Sequence, residues 1–252
     1  MRVISWFSCG AASAVATKLA IESSKSPVTV VRCWVKEEHP DNDRFAKDCE
    51  KWFGQPILTL KNMDFDGSVH SVIRKRKFIK NQYGAPCTML LKKKLREDFQ
   101  LPDDVHVFGY TAEPKEVDRY DRFIDANPTA KAWPILIEHG LSHADCLALV
   151  KNAGIILPVM YEMGYMHNNC IGCVKGGMGY WNKIRTDFPL EFKRMAVLER
   201  EVGFGCCKDA NGTVFLDQLD PSRGNYNEEP EVQCSLNCEL IEWNDFKMKS
   251  DL

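Results

Sequence analysis

The chain has 252 residues, 44% of them hydrophobic, and its 33 basic and 35 acidic residues leave a formal net charge of −2. Such a chain is long enough to bury a substantial core, and its small net charge indicates no overall attraction to nucleic acid or to a membrane surface. No apolar run reaches the length of a membrane span, and the chain enters its first predicted strand without a signal peptide. We therefore expect a soluble, cytoplasmic protein that does not bind membranes.

Strand and helix patterns alternate through the first half of the chain. Strands are predicted at residues 3–7, 28–35, 56–60 and 105–109, and helices at residues 14–21, 43–53, 71–80, 88–99 and 115–126. Farther along, Ser142 is predicted to cap a helix at residues 144–152, and an amphipathic helix is predicted at residues 191–202. Because this alternation is typical of parallel sheets, we predict an α/β fold with a doubly wound, mostly parallel sheet.

The connection after the first predicted strand consists of small residues, Ser8-Cys9-Gly10-Ala11-Ala12-Ser13. A strand that turns directly into a helix exposes backbone N–H groups at the positive end of the helix dipole, where an anion can bind. Ser8 and Ser13 add hydroxyl donors. The alternative is an ordinary strand-to-helix connection with no ligand.

The eleven cysteines are expected to be metal ligands or buried thiols rather than disulfides. Cys33, Cys49 and Cys146 lie in apolar patterns and are predicted to be core residues. Cys170 and Cys173 form a Cys-Ile-Gly-Cys turn, which presents two thiolates to one site.

A third thiolate, from Cys87 far upstream, leaves a fourth position open, which suits a reactive iron–sulfur cluster or a catalytic metal. A zinc site and reduced thiols are the alternatives, and His167 is a further candidate ligand.

The chain resembles the phosphoadenosine phosphosulfate reductase group of the adenine nucleotide α-hydrolase-like, or PP-loop, superfamily. The family turn Ser-Gly-Gly-x-Asp-Ser matches at Ser8, Gly10 and Ser13 and departs at Cys9 and Ala12. The resemblance implies that this turn grips the phosphates of an adenine nucleotide, either ATP with Mg²⁺ or a phosphosulfate. The implied contacts are Ser8, Cys9, Gly10, Ala11, Ala12 and Ser13.

Two further segments are similar to the same family, and the resemblance covers roughly residues 1–200. The stretch from Gly109 to Glu113, followed by Arg119 and Arg122, implies that Gly109 and the two arginines bind the nucleotide. The segment Cys87-Thr88-Met89-Leu90-Leu91-Lys92-Lys93 implies a phosphate-neutralising or catalytic role for Lys92.

The resemblance also bears on the cysteines, because iron–sulfur members hold a [4Fe–4S] cluster on a Cys-Cys pair and a Cys-x-x-Cys. Here the pair is reduced to Pro86-Cys87. Cys87, Cys170 and Cys173 are therefore expected to hold a cluster with an open iron, or with a fourth ligand from elsewhere.

The tail contains a second group of cysteines in a segment too polar to build its own core. Cys206, Cys207, Cys234 and Cys238 are predicted ligands of a structural zinc ion. The alternative is redox chemistry, with Cys234 as a catalytic nucleophile like the tail cysteine of sulfonucleotide reductases.

Three regions are expected: a PP-loop nucleotide-binding α/β domain at residues 1–130, a helical region with the cluster loop at 131–203, and a cysteine-rich appendage at 204–252. The basic stretch from Arg74 to Arg96 indicates either solvated helix faces or a surface for a nucleic-acid acceptor. The sequence leaves the oligomeric state open, with a homodimer as one alternative.

Together these features predict an enzyme that activates an acceptor with ATP and inserts sulfur with the help of an iron–sulfur cluster. A sulfonucleotide reductase is the alternative reaction. A nucleotide-binding regulatory module without catalysis is the alternative from another class, since Ala12 replaces the family aspartate.

Overall fold

In the computed structural model, which describes residues 2–81 and 84–232, the chain is an α/β protein built on a five-stranded sheet. The strands are β1 (Val3–Trp6), β2 (Val28–Cys33), β3 (Leu58–Leu60), β4 (Val105–Val107) and β5 (Lys131–Trp133). Every neighbouring pair is parallel, and the order is β3-β2-β1-β4-β5. The predicted α/β class with a parallel sheet is confirmed, and the strand order agrees with a doubly wound topology.

Helices alternate with the strands along the chain. They are α1 (Ala11–Ser23), α2 (Asp41–Phe53), α3 (Val69–Arg76), α4 (Pro86–Thr88), α5 (Lys94–Phe99), α6 (Pro114–Ala126), α7 (Ile135–Glu138), α8 (His143–Asn152), α9 (Val159–Glu162), α10 (Met178–Asp187) and α11 (Pro189–Val202). A π-helical stretch, Met89–Lys93, joins α4 to α5. Near the end of the described chain, β6 (Cys207–Asp209) and β7 (Gly212–Val214) form an antiparallel hairpin.

Several predicted boundaries are wrong by a few residues, each for a local reason. Helix α1 begins at Ala11 rather than residue 14, because Gly10 is extended and the helix starts directly after it. Helix α3 ends at Arg76 rather than residue 80, because Lys77 takes a left-handed conformation with φ of 48°. The short strand β5 was not predicted.

The start of α8 is confirmed in detail. The side chain of Ser142 accepts a hydrogen bond from the backbone N–H of Asp145, and the Asp145 carboxylate accepts the N–H of Ser142 in return. This reciprocal capping box satisfies two N–H groups that a helix N-terminus leaves without partners. The prediction succeeded because the whole signal lies within four residues of chain.

The chain divides into two compact units that are interleaved along the sequence. The first comprises residues 1–34, 39–60 and 97–168, and the second comprises residues 35–38, 61–96 and 169–252, each only as far as the structure describes it. The predicted boundaries at residues 130 and 203 stay predictions.

The first unit contains the sheet and its main hydrophobic core. Phe7, Phe45 and Ile135 are fully buried there, packed beside Cys49 and Cys146. Cys33 is also buried, so the predicted core role of these three cysteines is confirmed. Burial raises the pKa of the Cys146 thiol to about 12, which keeps it neutral.

The second unit consists of helices and the short hairpin. Helices α10 and α11 pack on each other through Trp181, which is fully buried and meets the ring of Phe192 edge-on. Among the described residues, no helix has the length and apolar character needed to cross a membrane.

Candidate functional site

The first candidate site is the turn at residues 8–13, which follows the carboxyl end of β1. The hydroxyl of Ser13 accepts hydrogen bonds from the backbone N–H and the hydroxyl of Ser8, both at 3.1 Å, and donates to the carbonyl of Gly10 at 2.9 Å. Gly10, the N-cap residue of α1, has no side chain with which to cap the helix. These bonds connect the two ends of the turn. The N-terminus of α1 can still donate backbone N–H groups to an anion.

Cys9 in this turn has a left-handed backbone, with φ of 58°, which is uncommon for a residue that has a side chain. The amide Nδ2 of Asn168 donates to the Cys9 carbonyl and to Oδ1 of Asn42, both at 2.7 Å. Asn168 is only 8% exposed, so these bonds form in a buried setting. The distant Asn168 therefore fixes the strained residue of the turn.

Tyr161, from α9, contacts the first turn of α1. Its hydroxyl accepts the backbone N–H of Ala11 at 3.2 Å, and burial raises the pKa of the phenol to about 12. A side chain at Gly10 would place its Cβ 3.3 Å from the same hydroxyl. The sequence analysis did not identify Tyr161 or Asn168 as part of this site, because both lie more than a hundred residues downstream.

Gly109 lies just after β4, the strand beside β1. A Cβ atom at Gly109 would lie 2.7 Å from the backbone nitrogen of Ser13 and 3.0 Å from the carbonyl carbon of Ala12. Since backbone cannot move aside as a side chain can, glycine is required for the end of β4 to approach α1. Because β2 and β4 flank β1, this approach lies at the switch in strand order, where doubly wound sheets bind ligands.

The two predicted phosphate-binding arginines both lie on α6. Arg119 pairs with Glu116 at 2.5 Å, and its guanidinium lies 5.5 Å from the centre of the Tyr110 ring. Arg122, one turn closer to the end of α6, is exposed. Arg119 is therefore held by its own helix and by Tyr110, and a role toward phosphate stays a prediction for both arginines.

The second candidate site is a pocket in the second unit that brings the three predicted cluster cysteines together. Cys170 and Cys173 are each 7% exposed, and Cys87 is partly exposed. The pocket measures about 350 Å³ with the open solvent at its mouth included. Its lining consists of Glu37, Val69, His70, Cys87, Thr88, Cys170, Ile171, Gly172, Cys173, Val174 and Lys175.

The cysteine loop is held by hydrogen bonds to its backbone. The hydroxyl of Tyr180 accepts the N–H of Cys173 at 2.8 Å and donates to the carbonyl of Cys170 at 3.2 Å. The N–H of Ile171 donates to the carbonyl of Glu37 at 2.8 Å. These bonds fix the backbone of the loop that carries the thiols of Cys170 and Cys173.

Glu37 and His70 form the other wall of the pocket. The Glu37 carboxylate accepts the hydroxyl of Ser68 at 2.6 Å and the N–H of Val69 at 2.8 Å, so it caps α3. His70 lies in the first turn of α3, with Nδ1 3.9 Å from Oε1 of Glu37, and burial lowers the pKa of its imidazole. The sequence analysis missed His70, whereas His167 lies in the first unit beside His143, at 5.4 Å between ring centres.

The predicted catalytic Lys92 is part of the π-helical stretch after Cys87. It is 9% exposed, and its Nζ lies 3.5 Å from Oε1 of the equally buried Glu38. In this structure Lys92 thus pairs with a carboxylate, and its predicted role toward phosphate remains untested.

The three thiols that line the cysteine pocket are the ligand type of both a zinc ion and an iron–sulfur cluster. Among the described residues, no three His, Cys, Asp or Glu side chains form a group that could hold a metal ion. Tetrahedral zinc requires thiolates roughly 4 Å apart, because each Zn–S bond is about 2.3 Å long. A [4Fe–4S] cluster takes one thiolate per iron and so accepts wider spacing. Three thiols lining one pocket have the donor chemistry of that cluster.

The tail cysteines are only partly described. Cys206 and Cys207 are both buried, and the N–H of Cys206 donates to the carboxylate of Glu199. Burial raises the pKa of Cys207 to about 11. Cys234 and Cys238 lie outside the described residues, so the predicted zinc site and the redox role of Cys234 both stay predictions.

Several cations of the stretch from Arg74 to Arg96 already have protein partners. Arg74 pairs with Glu201 at 2.8 Å, Lys75 lies 4.9 Å from the centre of the Phe65 ring, and Lys80 donates to the carbonyl of Gly176 at 3.4 Å. These contacts give the stretch a structural role within the second unit. A nucleic-acid acceptor for it stays a prediction.

No protein-family model matches this chain, and no curated protein sequence matches it significantly.

Proposed function

We propose that the protein is an adenine-nucleotide-dependent sulfur-transfer enzyme of the PP-loop type, with an iron–sulfur cluster on Cys87, Cys170 and Cys173. The observation that carries the proposal is the convergence of these three cysteines, one of them distant in sequence, on a single pocket. Buried structural thiols have no reason to share a cavity, whereas cluster ligands must.

The nucleotide site of the proposal is the turn at residues 8–13. Its support is the helix N-terminus after Gly10, the closed hydrogen-bond pattern of Ser8 and Ser13, and the close approach of Gly109 at the strand-order switch. Phosphate oxygens would accept the free N–H groups of α1, and Mg²⁺ would accompany ATP.

The proposed reaction has two displacements. An acceptor oxygen attacks the α-phosphorus of ATP, and pyrophosphate leaves. A sulfur nucleophile then attacks the acceptor carbon, so that a C–S bond forms and AMP leaves with the oxygen. A cluster with a position free of cysteine supplies a place for the sulfur to bind. The protein holds the nucleotide phosphates at α1 and holds the cluster through its thiolates.

The first test is cluster content in protein purified without oxygen. We expect charge-transfer absorption, iron and acid-labile sulfide in the wild type, and their loss in Cys170→Ser. Cys33→Ser is the matched control, because Cys33 is also 7% exposed but lies in the first unit. Wild-type protein without iron, or equal iron in all three proteins, would contradict the proposal.

The second test is calorimetry with ATP and Mg²⁺, comparing the wild type with Gly10→Val. A valine side chain would meet the Tyr161 hydroxyl and obstruct the turn, so we expect much weaker binding. Release of sulfite from a phosphosulfate, lost in Cys234→Ser, would instead establish the reductase. Nucleotide binding without cluster and without turnover would establish the regulatory module.

A further inference from the structure

The pocket of the three cysteines also contains a histidine that no motif of the sequence singles out. We propose that His70 is the fourth ligand of the cluster on Cys87, Cys170 and Cys173, and that an incoming sulfur donor displaces it. This inference rests on the proposed function, because it requires the pocket to bind a cluster.

The position of His70 is the first argument. His70 lines the same pocket as the three thiols, and its side chain is 17% exposed. Within the described part of the chain, neither ring nitrogen has a hydrogen-bond partner, although the ring lies 3.9 Å from the Glu37 carboxylate through Nδ1. An imidazole without a hydrogen-bond partner, beside three thiols, has the donor atom that the cysteines lack.

Glu37 is the second argument, because it joins the histidine to the cysteine loop. Its carboxylate is fixed by the N-terminus of α3, which carries His70, and its backbone carbonyl accepts the N–H of Ile171 between the two loop cysteines. Histidine ligands commonly direct one ring nitrogen at a carboxylate, which orients the other toward the metal. Nδ1 lies 3.9 Å from the Glu37 carboxylate, which is beyond hydrogen-bond distance in this structure, and we assign Nε2 as the nitrogen that would bind an iron atom.

The chemistry of the donor set is the third argument. Histidine replaces cysteine at iron in some iron–sulfur centres and raises their reduction potential. Imidazole is a harder ligand than sulfide, so sulfide competes well for an iron atom that also has sulfur ligands. The displacement is a ligand exchange without oxidation or reduction, in which the imidazole leaves as a neutral base when a sulfur lone pair takes its position.

Pulsed electron paramagnetic resonance on the reduced, cluster-loaded full chain tests the inference. In the wild type we expect hyperfine coupling from a nitrogen atom bound directly to the cluster. When only histidine is labelled with ¹⁵N, the ¹⁴N coupling should be replaced by a ¹⁵N coupling. The signal should disappear in His70→Ala and after addition of sodium sulfide, and it should persist in His139→Ala, which removes an exposed histidine after α7. A loaded wild type without histidine coupling, or a coupling that survives in His70→Ala or in sulfide, would overturn the inference.

A second variant keeps the test decisive if His70→Ala loses its cluster. His70→Cys completes a four-cysteine set, so it should hold the cluster with a lower reduction potential than the wild type. An unchanged potential would overturn the assignment. A wild type that takes up no cluster would overturn this inference and the proposed function together, whereas a loaded cluster without histidine coupling would overturn this inference alone.

Discussion

The turn at residues 8–13 and the cysteine loop at residues 170–173 are each held by a tyrosine hydroxyl, yet they present opposite kinds of group. In the loop, Tyr180 bonds to both the Cys173 N–H and the Cys170 carbonyl, which fixes the backbone that carries the two thiols. In the turn, Tyr161 accepts the N–H of Ala11, and the N-cap residue Gly10 has no side chain that could accept a further N–H group of α1. One region presents side chains on a fixed backbone, and the other presents the backbone itself.

The difference explains which substitutions each region tolerates. A site made of backbone groups depends on close approach, so an added methyl group is harmful there. A site made of thiols depends on the hydrogen bonds that fix the backbone of its loop, so losing the hydroxyl that makes those bonds is harmful there. Three changes test this contrast.

The largest effect is expected from Gly109→Ala. The new Cβ would lie 2.7 Å from the Ser13 nitrogen, so the free energy of unfolding should fall by about 3 kcal/mol and nucleotide binding should be lost. Gly140→Ala is the control, since nothing lies within 4 Å of its Cβ and only its φ of +63° opposes a side chain. That change should cost about 1 kcal/mol. Urea unfolding measures both variants. Equal losses of unfolding free energy in Gly109→Ala and Gly140→Ala would show that the close approach of Gly109 to α1 does not affect stability.

A pair of matched variants, Tyr180→Phe and Tyr161→Phe, separates the two regions. Tyr180→Phe leaves the buried N–H of Cys173 without its partner, which should cost about 2 kcal/mol and make the bound cluster more sensitive to oxygen. Tyr161→Phe should cost about 1 kcal/mol and change nucleotide affinity while leaving cluster decay unchanged. The readouts are cluster decay in air and ATP calorimetry on both proteins. Faster cluster decay in Tyr161→Phe, or altered ATP affinity in Tyr180→Phe alone, would contradict the proposed difference between the two regions.

The smallest effect concerns the pH dependence of stability. The pKa of Asp41, in the first unit, is lowered, whereas the pKa of Glu199, in the second unit, is raised. Hydrogen bonds from Arg44 and from the N–H of Val159 lower the pKa of Asp41, so its stabilisation is present above the ordinary value of 3.8 and is lost as pH falls through the lowered pKa. Burial raises the pKa of Glu199, so its contribution is full below 4.5 and is lost as pH rises through the raised pKa.

Asp41→Asn should therefore destabilise the protein by about 1 kcal/mol at pH 7 and by less near pH 3. Glu199→Gln leaves the N–H of either Cys206 or Leu216 without its acceptor, so the free energy of unfolding should fall overall. Because glutamine does not titrate, the variant should lack the further loss of stability that the wild type shows as pH rises above 4.5. Urea unfolding from about pH 3 to about pH 8 measures both pH dependences. Parallel pH profiles for wild type and variants would contradict the assigned directions.

The sequence predicted those features whose cause is local. The alternation of strands and helices predicted the parallel sheet, the Ser142 signal predicted the start of α8, and apolar neighbours predicted the burial of Cys146. In each case the determining residues lie within a few positions of the feature.

Features that depend on distant partners were missed. Nothing near Gly10 indicates that Tyr161 reaches α1, and nothing near His70 indicates that it shares a pocket with Cys170. The π-helical stretch Met89–Lys93 was predicted as ordinary helix, because its composition favours helix of either kind. The cysteine spacing singled out three thiols that line one pocket, and only the fold shows that the imidazole of His70 lines the same pocket.

The interleaving of the two units imposes an order on biosynthesis. The last sheet strand ends at Trp133, whereas the pocket needs Glu37, Cys87 and a loop that extends to Lys175. As the chain leaves the ribosome, all five strands are present before the second wall of the pocket exists. Cys87 is therefore made long before Cys170 and Cys173. If the proposed cluster binds in this pocket, it can be loaded only after residue 175 has been made, when all five strands of the sheet have already been synthesised.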